Sequence, residues 1–300
     1  MGFFDDKTIL VTGGAGSFGQ KFAEILLQEH NPAVVRIFDN NELALVEMER
    51  RLSDRRLRFF LGDVRDKSRL ERSVADVDVL VHAAALKHIP VCEYNPIEAV
   101  RTNIEGAVNV IDAAIDQRVP LVMNVGTDKS VQPANLYGST KMVAEKMFVQ
   151  GNVYGSHKNV HLSSARYGNV IASSGSVIPL FMEQREAGEV TVTDERMTRF
   201  WISLEEGIHF VITCIERMHG GEVFVPKVPS MSVLDLAKTV APEAKVKIVG
   251  IRPGEKLHEM LITEEEARRT RELDEMYVIT PEFSFWKEEN WKEGKPVPAN

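Results

Sequence analysis

The sequence predicts a doubly wound α/β protein: a parallel sheet covered on both faces by helices, followed by a smaller C-terminal lobe. Three observations carry this fold class. Short apolar runs alternate with amphipathic stretches along the first half of the chain. Those runs are apolar throughout, rather than at every second residue, as strands buried on both faces require. The first run leads through a glycine-rich turn directly into a helical stretch.

Taken in order, "TILVTG" precedes a helix over 18–28, "VVRIFD" one over 42–52, "LRFFLGD" one over 67–74, and "VDVLVHAAA" one over 97–117. "PLVMNVGT" then leads to a helix opening near Tyr137, and "VHLSSARYGNV" supplies a further strand. Such a sheet binds its ligand at the carboxyl ends of its strands, so the loops after strands are where chemistry is expected. From about Ser173 the rhythm changes to loops rich in Gly and Pro, "SSGSVIP", "HGGEVFVPKVPSM" and "VGIRPGEK", between shorter helices. This places a nucleotide-binding domain over 1–172 and a mainly substrate-binding lobe over 173–300, the two sharing a cleft. The final stretch, "FWKEENWKEGKPVPAN", is polar and is expected to pack loosely.

With 300 residues, 44% hydrophobic and 27% charged, the chain can bury one large core or two linked ones. A formal net charge of −8 without long one-sign runs argues against a nucleic-acid surface. No apolar run approaches a membrane span, and the acidic pair in "MGFFDD" does not suit an export signal. The two cysteines, Cys92 and Cys214, have no metal-ligand or disulfide spacing, so a reducing cytoplasm and no bound metal are expected.

"TGGAGSFG" sets Gly13, Gly16 and Gly19, with Ser17 and Phe18, between a strand and a helix start. The glycines allow a tight turn and close approach to a pyrophosphate, and the helix N-terminus adds partial positive charge: the Rossmann-type cradle. The next strand ends in Asp39, twenty residues past Gly19, where a carboxylate can accept both adenosine ribose hydroxyls and repel a 2′-phosphate. NAD is therefore expected. An ordinary turn residue would also account for Asp39. Asp63 and Val64 after the third strand can meet the adenine, although Asp63 also suits a helix cap. Ala83 and Ala84 keep the fourth loop small where a cofactor must lie close to backbone, although packing alone would explain them equally well.

Tyr137 and Lys141, at i and i+4 of a helix, are neighbours, and a nearby ammonium lowers a tyrosine pKa. Tyr137 can then take a proton from an alcohol as its hydride leaves. Thr127 can add a hydroxyl at the substrate oxygen. Asp128 and Lys129 follow the fifth strand at the same rim. If an alcohol is oxidised to a ketone, the neighbouring C–H becomes acidic, so a base there and an acid at the next carbon can eliminate water. Lys129 suits the base and Asp128 the acid, as a coupled pair. A surface ion pair is the plainer reading of the two.

"TGGAGSFG", "FFLGDVRD", "HAAALKHIPVCEYNP", "GTDKSVQPANLYGSTK", "RYGNV", "TDERMTRFWI", "FVPKVPSM" and "GIRPGEKLHE" together resemble the inverting UDP-N-acetylglucosamine 4,6-dehydratases. These are extended short-chain dehydrogenase/reductase enzymes that begin pseudaminic-acid and related surface-sugar pathways. The resemblance runs from about Lys7 to Phe285. It implies a hydro-lyase with a tightly bound nicotinamide cofactor, acting on UDP-N-acetylglucosamine: Tyr137 as base at the carbon-4 hydroxyl, Lys129 as base at carbon 5, Asp128 as acid at carbon 6. It also implies Asn169 and Arg252 on the diphosphate, Glu255 on the uridine ribose, and Lys87 and Arg199 in a basic patch near the substrate. A homo-oligomer, dimer or hexamer, is expected on the same ground. Family members with Ser-Arg at the positions of Asp39 and Asn40 suit NADP, so NADP stands beside NAD as a possible cofactor. A UDP-sugar 4-epimerase, a retaining dehydratase and a silent nucleotide-sensing homologue are the alternatives.

Overall fold

The computed structural model describes residues 2–171, 177–283, 285, 291 and 293–298; the expected lobe boundary at 172/173 lies outside these residues. Six parallel strands, β1 Thr8–Thr12, β2 Val34–Asp39, β3 Leu57–Leu61, β4 Val79–His82, β5 Leu121–Val125 and β6 His161–Ala165, lie in the order β3-β2-β1-β4-β5-β6. The order reverses between β1 and β4, the switch point where a sheet of this kind leaves a crevice at the carboxyl ends of its strands. Alternate residues of β1 feed opposite cores. Ile9 and Val11 join Phe22 and Leu26, whereas Leu10 joins Phe38, Leu80 and Phe148.

Helices α1 Ser17–Glu29, α2 Glu42–Leu52 and α3 Lys67–Val74 follow the first three strands. Between β4 and β5 a short helix that the sequence did not predict, α4 Ile89–Tyr94, comes first, and the helix predicted over 97–117 then forms as one run, α5 Pro96–Val100, a π-helical turn Arg101–Glu105 and α6 Gly106–Asp116. Pro96 has no N–H to continue the preceding helix, so a new one starts there. The π-turn presents Asn103 inward. Its amide accepts from Leu86 N at 2.8 Å and donates to Leu86 O and Thr140 Oγ1, pinning the loop after β4 to α7 Leu136–Gln150.

The later strands are β7 Asn169–Val170, β8 Glu189–Val192, β9 Thr198–Ile202, β10 Val223–Pro226, β11 Ser230–Ser232, β12 Lys245–Ile248, β13 Thr270–Glu272, β14 Met276–Ile279 and β15 Lys295–Pro296. β10 extends the parallel sheet beside β6, and β14, β13 and β15 continue it antiparallel to ten strands among the described residues. The chain past 173 thus returns to the first sheet. It also adds β9 and β11 to β7, in the order β11-β9-β7, and forms the pair β12-β8. Within the C-terminal stretch expected to pack loosely, Trp291 is buried and donates from Nε1 to Glu222 Oε1 at 2.8 Å. Among the described residues, no helix is long and apolar enough to cross a membrane.

Candidate active site

The crevice is built loop by loop from the ends of the parallel strands. After β1, Gly13 has φ +66°, and a Cβ there would come 2.7 Å from Ala84 N, so glycine allows the turn and the close approach of the loop at Ala83 and Ala84. Gly19 packs so tightly on Gly14 that a side chain would collide with backbone. Gly16 begins α1 without any side-chain cap, and no acidic residue occupies its first turn, so the helix N-terminus stays open to an anion beside Ser17. Phe18 stacks on Phe22. Asp39, at the end of β2, accepts from Ala15 N at 3.0 Å through Oδ2, placing its carboxylate against the glycine turn. Asp63 is forked by Arg65 and also bonded by Asn40, which together hold its carboxyl at about 2. The cap of α3 is Asp66, not Asp63. Val64 is buried against Gly106. Open helix end, glycine turn and ribose-side carboxylate together fit a dinucleotide.

β5 ends at Val125, and Thr127 caps the single turn Asp128–Ser130. Asp128 is fully buried. Its Oδ1 accepts from Thr127 Oγ1 at 3.1 Å and from Lys129 Nζ at 3.0 Å, while Oδ2 is buried without a hydrogen-bond partner among the described residues. Lys129 Nζ also donates to Asn169 Oδ1 at 3.1 Å, bridging the loops after β5 and β6. Lys129 is therefore no solvated surface residue.

Tyr137 and Lys141 lie on the buried face of α7. Burial raises the Tyr137 phenol well above its ordinary value; a hydrogen bond with Thr127 works downward and the charge of Asp128 upward. The expected lowering by Lys141 does not operate in this state, because Lys141 Nζ donates to the Val125 carbonyl at 2.8 Å. Burial brings Lys141 down to about 8, against the upward pull of Glu145. Glu145 in turn is gripped by Arg166, at 3.0 and 2.5 Å, and Arg166 also reaches Glu266 at 2.8 Å. Burial opposes the Arg166 charge, yet the two carboxylates hold it above its ordinary range. Burial likewise opposes the Glu266 carboxylate, but the bonds from Arg166 prevail and bring it down to about 2.

A cavity of about 510 Å³ opens beside Lys129 and Asn169. Arg199, Arg252 and Glu255 line it. Arg199 is buried and donates to the carbonyls of Thr198 and Leu257. Lys87 is exposed, two residues before the cavity-lining Ile89. The sequence reading missed Trp201 and Glu259, which line the same cavity, and the Glu145, Arg166 and Glu266 cluster beneath the loop. Trp201 had a local signal, since it stands two residues from Arg199 on a strand and so shares its face. Glu145 had one too, a helical turn past Lys141.

A family model described as "Polysaccharide biosynthesis protein" matches residues 9–281. The chain is 47% identical over 289 residues to a UDP-N-acetylglucosamine 4,6-dehydratase (inverting) of Campylobacter jejuni, covering 96% of this chain and 86% of that protein. It is 38% identical to a UDP-glucose 4-epimerase of Rickettsia canadensis, covering 92% and 83% of the two chains. Among solved structures, Pen from Bacillus thuringiensis superposes with a TM-score of 0.90 at 37% identity, covering 94% and 91%. DesIV, a dTDP-glucose 4,6-dehydratase from Streptomyces venezuelae solved with NAD, shares the fold with a TM-score of 0.76 at 23% identity, covering 87% and 90%. On these matches, the chain belongs to the polysaccharide biosynthesis protein family, with an inverting UDP-N-acetylglucosamine 4,6-dehydratase among its relatives.

Proposed function

We propose that the protein is a UDP-N-acetylglucosamine 4,6-dehydratase of the inverting type, a hydro-lyase that makes UDP-2-acetamido-2,6-dideoxy-β-L-arabino-hexos-4-ulose for surface-glycan synthesis. The observation that carries this reading is the pair Asp128 and Lys129, joined at 3.0 Å, with Lys129 lining the substrate cavity and a buried Asp128 oxygen left without a partner among the described residues. An epimerase needs Tyr137 and Lys141 but has no use for that pair. The 47% identical relative carries the dehydratase name.

Gly13, Gly16, Ser17, Phe18, Gly19, Asp39, Asp63, Val64, Ala83 and Ala84, with Tyr137 and Lys141, would hold a nicotinamide cofactor, which would supply reversible hydride acceptance. The chain's own residues move the protons. Tyr137, bonded by Thr127, takes the proton of the carbon-4 hydroxyl; a charged Lys141 offsets the cost of forming buried tyrosinate only once its ammonium turns from the Val125 carbonyl toward the phenol. Transfer of one proton from Lys129 to Asp128 creates both missing catalysts at once, a neutral amine and a neutral acid. The amine then removes the carbon-5 proton, the acid gives its proton to the departing carbon-6 hydroxyl, and water leaves with both side chains restored to their charged forms. Return of the hydride to carbon 6 and reprotonation of carbon 5 from the opposite face complete the reaction, so carbon 5 is inverted and no net redox change remains.

Asn169 and Arg252 are assigned to the diphosphate, Glu255 to the uridine ribose, and Lys87 and Arg199 to the basic surroundings. A guanidinium forks onto phosphate oxygens, and a carboxylate accepts from a diol. NAD is favoured over NADP because Asp39 stands against the glycine turn. The two cysteines, free and buried, suit a reducing cytoplasm. A homo-oligomer would cover the apolar groove of about 800 Å³ lined by Val153, Tyr154, Phe283 and Phe285. NMR of the product formed from UDP-N-acetylglucosamine tests the function: a new methyl group at carbon 6 is expected, whereas a retained carbon-6 hydroxyl with carbon 4 inverted means an epimerase.

A further inference from the structure

The loop 252–256 carries Arg252 and Glu255 into the cavity and is fastened to the catalytic segment at two points. Asn135 Nδ2 donates to the Gly254 carbonyl at 2.8 Å. Lys256 Nζ donates to the Val131 carbonyl at 2.9 Å. The two anchors flank the chemistry: Val131 ends the turn that holds Asp128 and Lys129, and Asn135 caps the helix that holds Tyr137. Asn135 uses both ends of its amide, because Oδ1 accepts from Gly138 N at 2.8 Å while Nδ2 holds the loop. The approach is close. Gly254 has φ +80°, and a Cβ there would come 3.1 Å from Asn135 Cβ and 3.4 Å from Ile89 Cγ2.

We propose that Asn135 and Lys256 are positioning residues that clasp loop 252–256 to the catalytic segment, so that seating a nucleoside diphosphate on Arg252 and Glu255 fixes Asp128, Lys129 and Tyr137 in their working places. This rests on the reading of that loop as the nucleotide subsite. The physical logic is that affinity for a remote, unreacting part of a substrate can be spent on holding the reacting groups in register. Asn135 is committed to two backbone partners, and Lys256 to Val131 and to Glu259 at 2.7 Å, so neither is assigned a contact with the reacting atoms. Their loss therefore acts on turnover rather than on nucleotide affinity.

Asn135→Ser keeps a neutral cap acceptor and removes the amide donor; Lys256→Met removes the second anchor. Each is expected to lower kcat with UDP-N-acetylglucosamine by about tenfold or more, with Kd for UDP alone changed by less than about twofold. The double variant is expected to lose little more than the worse single one, as residues acting as a unit do. Unchanged kcat in both single variants, or a fall in kcat matched by an equal loss of UDP affinity, would overturn the clasp. Should Asn135→Ser not fold, Asn135→Asp, which also keeps the cap, and Lys256→Met carry the same comparison. Arg252→Ala tests the underlying reading separately: a loss of UDP affinity is expected, and unchanged affinity would remove the nucleotide subsite from this loop and the clasp with it.

Discussion

Lys129 and Asp128 share one contact, Nζ to Oδ1 at 3.0 Å, but not one environment: the lysine side chain is 20% exposed toward the cavity and the aspartate 0%. The amine can therefore meet a substrate carbon while the carboxyl exchanges protons out of water. Lys129→Ala is expected to abolish dehydration while the protein still binds its nicotinamide cofactor. Product NMR and cofactor fluorescence read the two effects; unchanged turnover would remove Lys129 from the mechanism.

Tyr137→Phe keeps the ring among Leu86, Ile89 and Cys92 and removes only the hydroxyl. The expected loss in kcat is about 10²–10⁴-fold, the usual reach of a positioned general base. The melting temperature should stay close to that of the parent protein. A loss below tenfold would assign the carbon-4 proton to another group.

Lys141 makes stability depend on alkaline pH. Its folded value, about 8, lies below its ordinary 10.5, so between those limits the unfolded chain holds more protons and the native state gains stability as pH rises. Lys141→Met in the cofactor-free protein is expected to be inactive yet more stable at pH 7, by on the order of 1–3 kcal/mol. The advantage should shrink from pH 8 upward. Chemical denaturation at pH 7 and pH 9.5 measures it, and an advantage that grows with pH would contradict the sign.

Arg166 neutralises Glu145 and Glu266 under the catalytic turn. Arg166→Met leaves two buried carboxylates without their cation, at a cost of about 3–5 kcal/mol. Glu266, held at about 2 in the parent, contributes stability above its ordinary range near 4.5 and loses it as pH falls toward 2. The gap between parent and variant should therefore narrow between pH 5 and pH 2. A gap independent of pH would mean that Arg166 acts through packing alone.

Asp39→Ser with Asn40→Arg is expected to reverse the cofactor preference. The parent should bind NAD at least about tenfold tighter than NADP, in keeping with an unfavourable carboxylate against a 2′-phosphate. Titration of cofactor-free protein with each dinucleotide decides this, and equal affinities in the parent would remove the role given to Asp39.

Local signals carried the parts of this structure that the sequence makes readable. The glycine turn, Asp39 and the i, i+4 spacing of Tyr137 and Lys141 each depend on a few neighbouring residues and on the strand or helix they sit in. The cavity does not: Lys129, Asn169, Arg199 and Arg252 come together from separate loops and strands, and only the family resemblance joined them in advance. Arg166 meets Glu266 across 100 residues, a pairing no window of sequence can display. The π-turn around Asn103 was hidden because the apolar spacing over 97–117 fits a regular helix, and the short helix Ile89–Tyr94 was hidden because six residues show no helical period. The C-terminal strands were hidden by their shortness and polar flanks.

Dehydration of UDP-N-acetylglucosamine in deuterated water tests the role of the Lys129 and Asp128 pair most directly. One deuterium at carbon 5, coupling constants of the L-configured ring and a carbon-6 methyl group carrying no solvent label are the expected result. A methyl product whose carbon 5 keeps its original hydrogen would contradict the account, because no base would then have removed that proton.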